Sequence, residues 1–329
     1  MVKSIAQAKG AAMMKLIGHG RSHAKIILMG EHSVVYGGPA IAVPYSGVEV
    51  HVKVKASELD KSTVRCAFYE GLVEEMPDVI ASLYHTIRVT AEKTLGISSP
   101  LDYIIESTIP AERGMGSSAA VACALIRALY DFAERPLSQS QLLGLISEAE
   151  TIAHGSPSGL DGLLMTKKNP VIFRRPQEIE NLFFKGSLYL IVGDSGHIGR
   201  TKEAVMDVKR QIDSQDAKAK EAIEAIDQLV LSAREAIDRC QWEQLGHLMT
   251  KDHHFLQVLG VSSKELDALV ASALTAGALG AKLTGGGRGG CMIAITDDPD
   301  RVEAIRANLI KAGAKTTYAH QLHTANPLL

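Results

Sequence analysis

Four cysteines in 329 residues, Cys66, Cys123, Cys240 and Cys291, are too few and too widely spaced to staple a fold. No CxxC pair occurs and no cysteine has histidine at zinc-binding spacing, so a thiolate zinc site is excluded. The thiols read as reduced and mostly buried, as in a cytosolic protein. Long apolar runs are also missing. The longest, Ala119 to Ile126, ends at Arg127 after eight residues, whereas a bilayer span takes about 20. The expectation is a protein without membrane partners. An excess of either charge is lacking too: 35 Lys plus Arg against 37 Asp plus Glu leave a net charge of −2. Without a basic field, nucleic acid is not expected as a partner. No fixed-period repeat or low-complexity tract appears, which removes solenoids and linkered arrays. Nor is there a GxxxxGKS/T run, so the chain has no P-loop.

What is present is ordinary globular composition, 46% apolar and 22% charged, which excludes disorder and collagen-like structure. At roughly 150 residues per domain, the length suggests about two domains. The N-terminus has no acidic residue before Glu31, while Lys3, Lys9, Lys15, Arg21 and Lys25 are basic. An acid-poor segment of this kind suits an organelle leader. Paired Met13-Met14 and the scarcity of hydroxyl residues favour instead a loose tail over residues 1–13.

Apolar periodicity sets the element order. Residues 24–29 read as a buried strand, and Val48, Val50, Val52 and Val54 as one face of another. A helix is expected from Pro77 to near Gly96 with Ile80, Leu83, Tyr84, Ile87 and Ala91 as its stripe. A strand over 101–106 follows, then a helix opening at Gly114–Gly116 and closed by Pro136, then one capped by Ser138 and Gln141. Beyond the strand 188–192 the chain turns helical, with Ile223, Ile226, Val230, Ala233 and Ile237 at 3-and-4 spacing. Ser262 and Glu265 cap a further helix, and a strand, a helix begun by Asp298-Pro299 and a short strand end the chain. Strands first and helices later give α+β with two lobes and a break near 185–188.

Several segments carry chemistry. Pro110–Ala120 (PAERGMGSSAA) places two glycines and two serines at a helix start, where free N–H groups and the helix dipole favour phosphate. A plain serine-capped helix has the same pattern. Gly285–Gly290 (GGGRGG) satisfies GxGxxG, but a strand follows it, so a loop beside a nucleotide or a simple hairpin remains, and a dinucleotide fold does not. Glu150 falls near an apolar helix stripe, where a carboxylate needs a cation or hydrogen bonds or else an outlet to solvent. Lys25, inside an apolar strand, either snorkels out or meets an anion. Asp161, on a loop, is a base, an orienting carboxylate or a turn former. Two anion-binding loops, one Lys and two carboxylates make a phosphoryl-transfer kit, in which catalysis is positioning and charge neutralisation.

Four motifs in order, Lys25–Pro44 (KIILMGEHSVVYGGPAIAVP), Pro110–Ala120, His154–Asp161 (HGSPSGLD) and Lys282–Cys291 (KLTGGGRGGC), resemble those of the GHMP kinases, and among them the mevalonate kinases. The resemblance implies a two-lobed α+β fold. A mixed-sheet N-terminal, ATP-binding domain over 14–186 would precede a ferredoxin-like helical and sheet C-terminal domain over 187–329. It further implies a homodimer that phosphorylates the C5 hydroxyl of mevalonate with ATP and Mg²⁺. On that pattern Asp161 and Lys25 would be catalytic, and Ser118 and Glu150 would hold Mg²⁺. Pro110, Gly114, Met115, Gly116, Ser117, Ser118, Gly285, Gly286 and Gly287 would line the nucleotide, and Glu31, His32, Ser158 and Thr201 the mevalonate.

The chain departs from the family pattern at His23-Ala24 before the Lys, at Ala111-Glu112-Arg113 where a glycine is usual, at Gly286 for Ala and at Arg288 for Gly. Arg288 either touches phosphate or points to solvent. The rival activities are a sibling kinase of phosphomevalonate, for which Lys167, Lys168, Arg174 and Arg175 are the spare cations, or of another small alcohol. A non-catalytic sensor of the same fold would have lost Lys25, Glu150 or Asp161.

Overall fold

The valine alternation that marks a strand at 48–54 is realised inside a much longer one. In the computed structural model, which describes residues 14–154, 159–174 and 178–322, two long strands come first: β1, Ile17–Met29, and β2, Pro39–Ala56, paired to each other. The expected tail over 1–13, together with Ser158 and Arg175, lies outside the described residues. Two compact units form, neither contiguous in sequence, and β1 and β2 contribute to both.

Of the described residues, the first unit takes 14–22, Val50–Ser107 and 118–154. It holds β3 (Thr63–Cys66), β4 (Tyr69–Leu72), α1 (Ala81–Ile87), β5 (Leu101–Ser107), α2 (Ser117–Phe132) and α3 (Gln139–His154). β2 runs antiparallel to β5, with Val52 opposite Ile105 and Val54 opposite Tyr103. β3 lies parallel to β5 and antiparallel to β4. Alanines make α2 slim enough for β1 to approach its backbone. A Cβ at Gly18 or Gly20 would overlap the main chain of Ala128 or Ala124, so only glycine fits there.

The helix expected from Pro77 differs in its first turn. Pro77 itself is extended, residues Asp78–Ile80 form a 3-10 turn, and the α-helix starts only at Ala81 because Ile80 is non-helical. Past Ile87 the chain winds on as a π-helix, Arg88–Thr94, whose wider turn buries Thr90 beside Ala91. Leu83, Ile87 and Ala91 are buried as expected, while Ile80 and Tyr84 are only half-buried.

The Ser138–Gln141 box forms in both directions. Gln141 N–H donates to Ser138 Oγ at 3.2 Å, and Ser138 N–H donates to Gln141 Oε1 at 3.0 Å. Ser138→Ala is therefore expected to cost about 1 kcal/mol in urea unfolding. A loss below a few tenths would show that the box adds nothing.

The second unit takes His23–Glu49, Thr108–Ser117 and Ser158–Leu329. After α4 (Leu160–Leu164), β6 (Val171–Arg174) pairs with residues 39–42 of β2 and with β7 (Glu178–Asn181). Then come β8 (Tyr189–Asp194), α5 (Thr201–Asp213), α6 (Ala217–Asp238), α7 (Trp242–Val258), α8 (Lys264–Thr275), β9 (Gly280–Thr284), β10 (Cys291–Thr296), α9 (Pro299–Lys311) and β11 (Thr316–Gln321). The order β11-β8-β10-β9 makes an antiparallel sheet on which α7, α8 and α9 pack, with α6 on α7. Every residue of β9 and β10 is buried.

Asp298 caps α9 as read from the sequence, by accepting from Asp300 N–H. The cap of α8 is Ser263 and not Ser262: Ser263 Oγ accepts from Leu266 N–H, while Ser262 spends its hydroxyl on Asp267. No helix among the described residues is long and apolar enough to cross a membrane.

Candidate active site

β1 carries Lys25 into the interior between Ala24 and Ile26, both fully buried. The Lys25 side chain is 6% exposed, and burying an ammonium requires a partner. That partner is Asp161, whose Oδ1 lies 3.0 Å from Nζ. Asp161 sits in the first turn of α4, where the sequence suggested a loop; Gly159, at φ +76°, turns the chain into that helix. The Asp161 side chain keeps 28% exposure, so its carboxylate faces both the buried ammonium and open space.

Motif two lies against the same lysine. Lys25 N–H donates to Met115 O at 3.0 Å, and Met115 is buried beneath the turn. Gly114 and Gly116 have φ +79° and +71°, and a Cβ on Gly116 would come within 2.9 Å of Lys25 Cγ. Only glycine gives this turn its left-handed backbone and its contact with the lysine stem. The turn ends at Ser117, first residue of α2, where helix N–H groups are free for an anion.

The hairpin between β9 and β10 supplies Gly285, Gly286 and Gly287. A Cβ on Gly285 would meet Gly114 Cα at 3.1 Å, and one on Gly286 would overlap Thr201 at the start of α5. The two glycine loops and Thr201 are thus brought together. Pro110 is half-buried at the head of motif two. Arg288 pairs with Asp207 of α5 and donates to Gly260 O at 3.1 Å, fixing the hairpin tip.

At the end of β1, Glu31 and His32 are buried. His32 holds φ +64°, unusual for a residue with a side chain. Burial lowers its pKa to about 4, so the ring is neutral, and Nε2–H donates to Gly286 O at 3.1 Å. Glu31 pairs with Lys282 of β9, and Lys282 Nζ lies 3.3 Å from Asp252 Oδ2 of α7. Lys282 and Asp252 are fully buried, and burial pushes both carboxyls upward, Glu31 to about 7. Sequence reasoning missed Lys282 and Asp252 as members of the site. Beside them His253 Nδ1 accepts Leu283 N–H at 3.3 Å, securing α7 to β9.

The two residues assigned to metal lie in the first unit. Glu150 is buried on α3 near Ile146 and Ala149, as its place on the stripe implied. The Ser118 hydroxyl oxygen is buried without a hydrogen-bond partner among the described residues. An orphaned hydroxyl and a buried carboxylate are hard oxygen donors of the kind that, with phosphates and water, suit Mg²⁺. No cluster of three or more His, Cys, Asp or Glu that would hold a metal alone occurs among the described residues. Ser158 lies outside the described residues.

Two family models match the chain: the GHMP kinases N terminal domain over residues 81–166 and GHMP kinases C terminal over residues 233–315. The mevalonate kinase of Pyrococcus abyssi is 34% identical over 304 residues, covering 84% of this chain and 88% of the relative. The structure of L. major mevalonate kinase in complex with R-mevalonate superposes with a TM-score of 0.81 at 26% identity, covering 95% of this chain and 99% of that one. Mevalonate kinase from Staphylococcus aureus MRSA252 gives 0.72 at 32% identity, covering 94% and 100%. On this agreement of motifs, site geometry and likeness over most of its length, the chain belongs to the mevalonate kinase family of the GHMP kinases.

Proposed function

We propose that the protein transfers the γ-phosphoryl group of ATP to the C5 hydroxyl of mevalonate. The observation that carries this reading is the Lys25–Asp161 pair at 3.0 Å, set against a glycine turn that opens a helix. Asp161 accepts the hydrogen bond of the C5 hydroxyl and takes its proton as the new O–P bond forms and the bond to the ADP oxygen breaks. Lys25 holds Asp161 in place and adds positive charge where the transferring group becomes more anionic. Little covalent chemistry falls to the protein in such a transfer, and positioning with charge neutralisation does most of the work.

Gly114–Ser117 and Gly285–Gly287 line the ATP phosphates. His32 and Thr201 stand on the mevalonate side, together with Glu31, which holds the loop of His32 through Lys282, and the motif assigns Ser158 to the same substrate. Ser118 and Glu150 would hold Mg²⁺, which when bound would offset charge on the ATP phosphates. We assign residues 14–186 and 187–329 to N- and C-terminal domains, supported by family-model matches on either side of that cut. The cytoplasm as location and a homodimer as assembly complete the proposal.

An ADP-release assay with ATP and Mg²⁺ tests the substrate. Turnover is expected with mevalonate and not with phosphomevalonate, galactose or homoserine. Preference for any of the other three would move the error to Glu31, His32 and Thr201. For the metal, Glu150→Ala should raise the Mg²⁺ concentration for half-maximal rate tenfold or more. An unchanged Mg²⁺ titration would remove Glu150 from the metal site.

A further inference from the structure

Arg113 lies in motif two just before its glycine turn, and the structure gives that arginine a specific task. Three segments are laced together by main-chain bonds. Gly199 N–H donates to Glu112 O at 3.0 Å, Gly290 N–H to His197 O at 2.8 Å, and Ser195 N–H to Gly290 O at 3.0 Å. A Cβ on Gly290 would lie 3.0 Å from Arg113 O, so these backbones already touch. Among the described residues one ion pair joins motif two to the end of β8. Arg113 Nε donates to Asp194 Oδ1 at 2.9 Å, and its Nη2 donates to Gly196 O at 3.1 Å. The side chains of Arg113 and Asp194 are 11% and 6% exposed. Asp194 Oδ1 also accepts Gly196 N–H at 2.8 Å, which closes a ring of hydrogen bonds around the guanidinium.

Arg113 lies between two left-handed residues, Glu112 at φ +56° and Gly114 at φ +79° at the start of the phosphate turn. Lys25 N–H and the buried Met115 hold the middle of the turn, but Gly114 has no side chain, so at its entry the nearest side chain able to anchor the backbone is Arg113. The guanidinium is committed to Asp194 and Gly196 O. We propose that Arg113 and Asp194 form a positioning pair, which sets the main chain of Gly114–Ser117 so that its N–H groups meet the nucleotide phosphates, without touching them. This rests on reading that turn as the ATP phosphate site.

Calorimetric titration of the full chain with ATP and with adenosine tests the pair. Arg113→Gln and Asp194→Asn should each weaken ATP at least tenfold while leaving adenosine within about twofold, measured well below whatever melting temperature the broken buried pair leaves. Arg113→Lys keeps the charge but lacks the fork that spans Asp194 and Gly196, and should weaken ATP in the same direction. The sign for Asp194→Asn is decisive. Removing a negative charge strengthens anion binding if Arg113 is itself a phosphate ligand, and weakens it if the pair acts through the backbone. Tighter ATP binding by Asp194→Asn, unchanged ATP binding in all three variants, or equal loss for adenosine and ATP would each overturn the proposal. A wild-type chain that fails to bind ATP would instead refute the phosphate-site reading.

Discussion

Asp161→Asn is expected to lower kcat by about 10²–10⁴-fold, the range removed with a positioned general base, while ATP still binds. Asn preserves the size of the side chain and its capacity to accept a hydrogen bond, but it cannot take the proton of an attacking hydroxyl. It also leaves Lys25, 6% exposed, beside a neutral amide in place of a carboxylate. Part of the loss therefore comes from a lysine no longer held by its ion pair. Measuring kcat together with ATP affinity separates these contributions. A fall in kcat with unchanged nucleotide affinity places the defect in the transfer step. Near-normal turnover would remove Asp161 from catalysis.

Lys282→Met should destabilise the fold more than any other single change considered. It strips the cation from between Glu31 and Asp252, all three side chains being at most 1% exposed. Removing one partner of a buried ion pair typically costs about 3–5 kcal/mol, because the remaining charge is left uncompensated. The loss should depend on pH. Even with Lys282 present, burial raises Glu31 to about 7 and raises Asp252. A carboxyl raised above its unfolded value contributes stability below the unfolded pKa and loses it as pH rises through the folded one. Without the ammonium both acids are raised further, so the gap to wild type should narrow from pH 8 to pH 5. Urea unfolding at the two values checks this. An equal gap at both would mean that the acids do not titrate in the fold.

Much of the site is legible in the sequence because it is local. The glycine turn, the two serines and the helix start occupy one stretch, and a lysine within an apolar strand announces a buried anion by itself. Lys282, between Ala281 and Leu283 in a strand of five buried residues, gives the same signal as Lys25. Its motif is dominated by the glycines of the hairpin that follow it. Asp252 could have been found from its spacing, since it falls on the same helix stripe as buried Leu245, Met249 and Leu256.

Other features depend on contacts distant in sequence and are not written in any local pattern. Arg113 meets Asp194 across 81 positions, and Arg288 meets Asp207 across the same separation, which makes Arg288 a hairpin anchor. The 3-10 and π turns flanking α1 likewise escape a reading based on 3.6-residue periodicity, which treats Pro77 to Gly96 as one uniform helix.

The central claim concerns one bond, and phosphorus NMR of the products formed from ATP, Mg²⁺ and mevalonate observes it directly. The account predicts one new phosphomonoester signal, split into a triplet by the two protons on C5, appearing in step with ADP. A phosphomonoester without that splitting would place the phosphoryl group on the tertiary C3 oxygen. Such a result, or ADP accompanied only by inorganic phosphate, would contradict the assignment of Asp161 and Lys25 to the C5 hydroxyl.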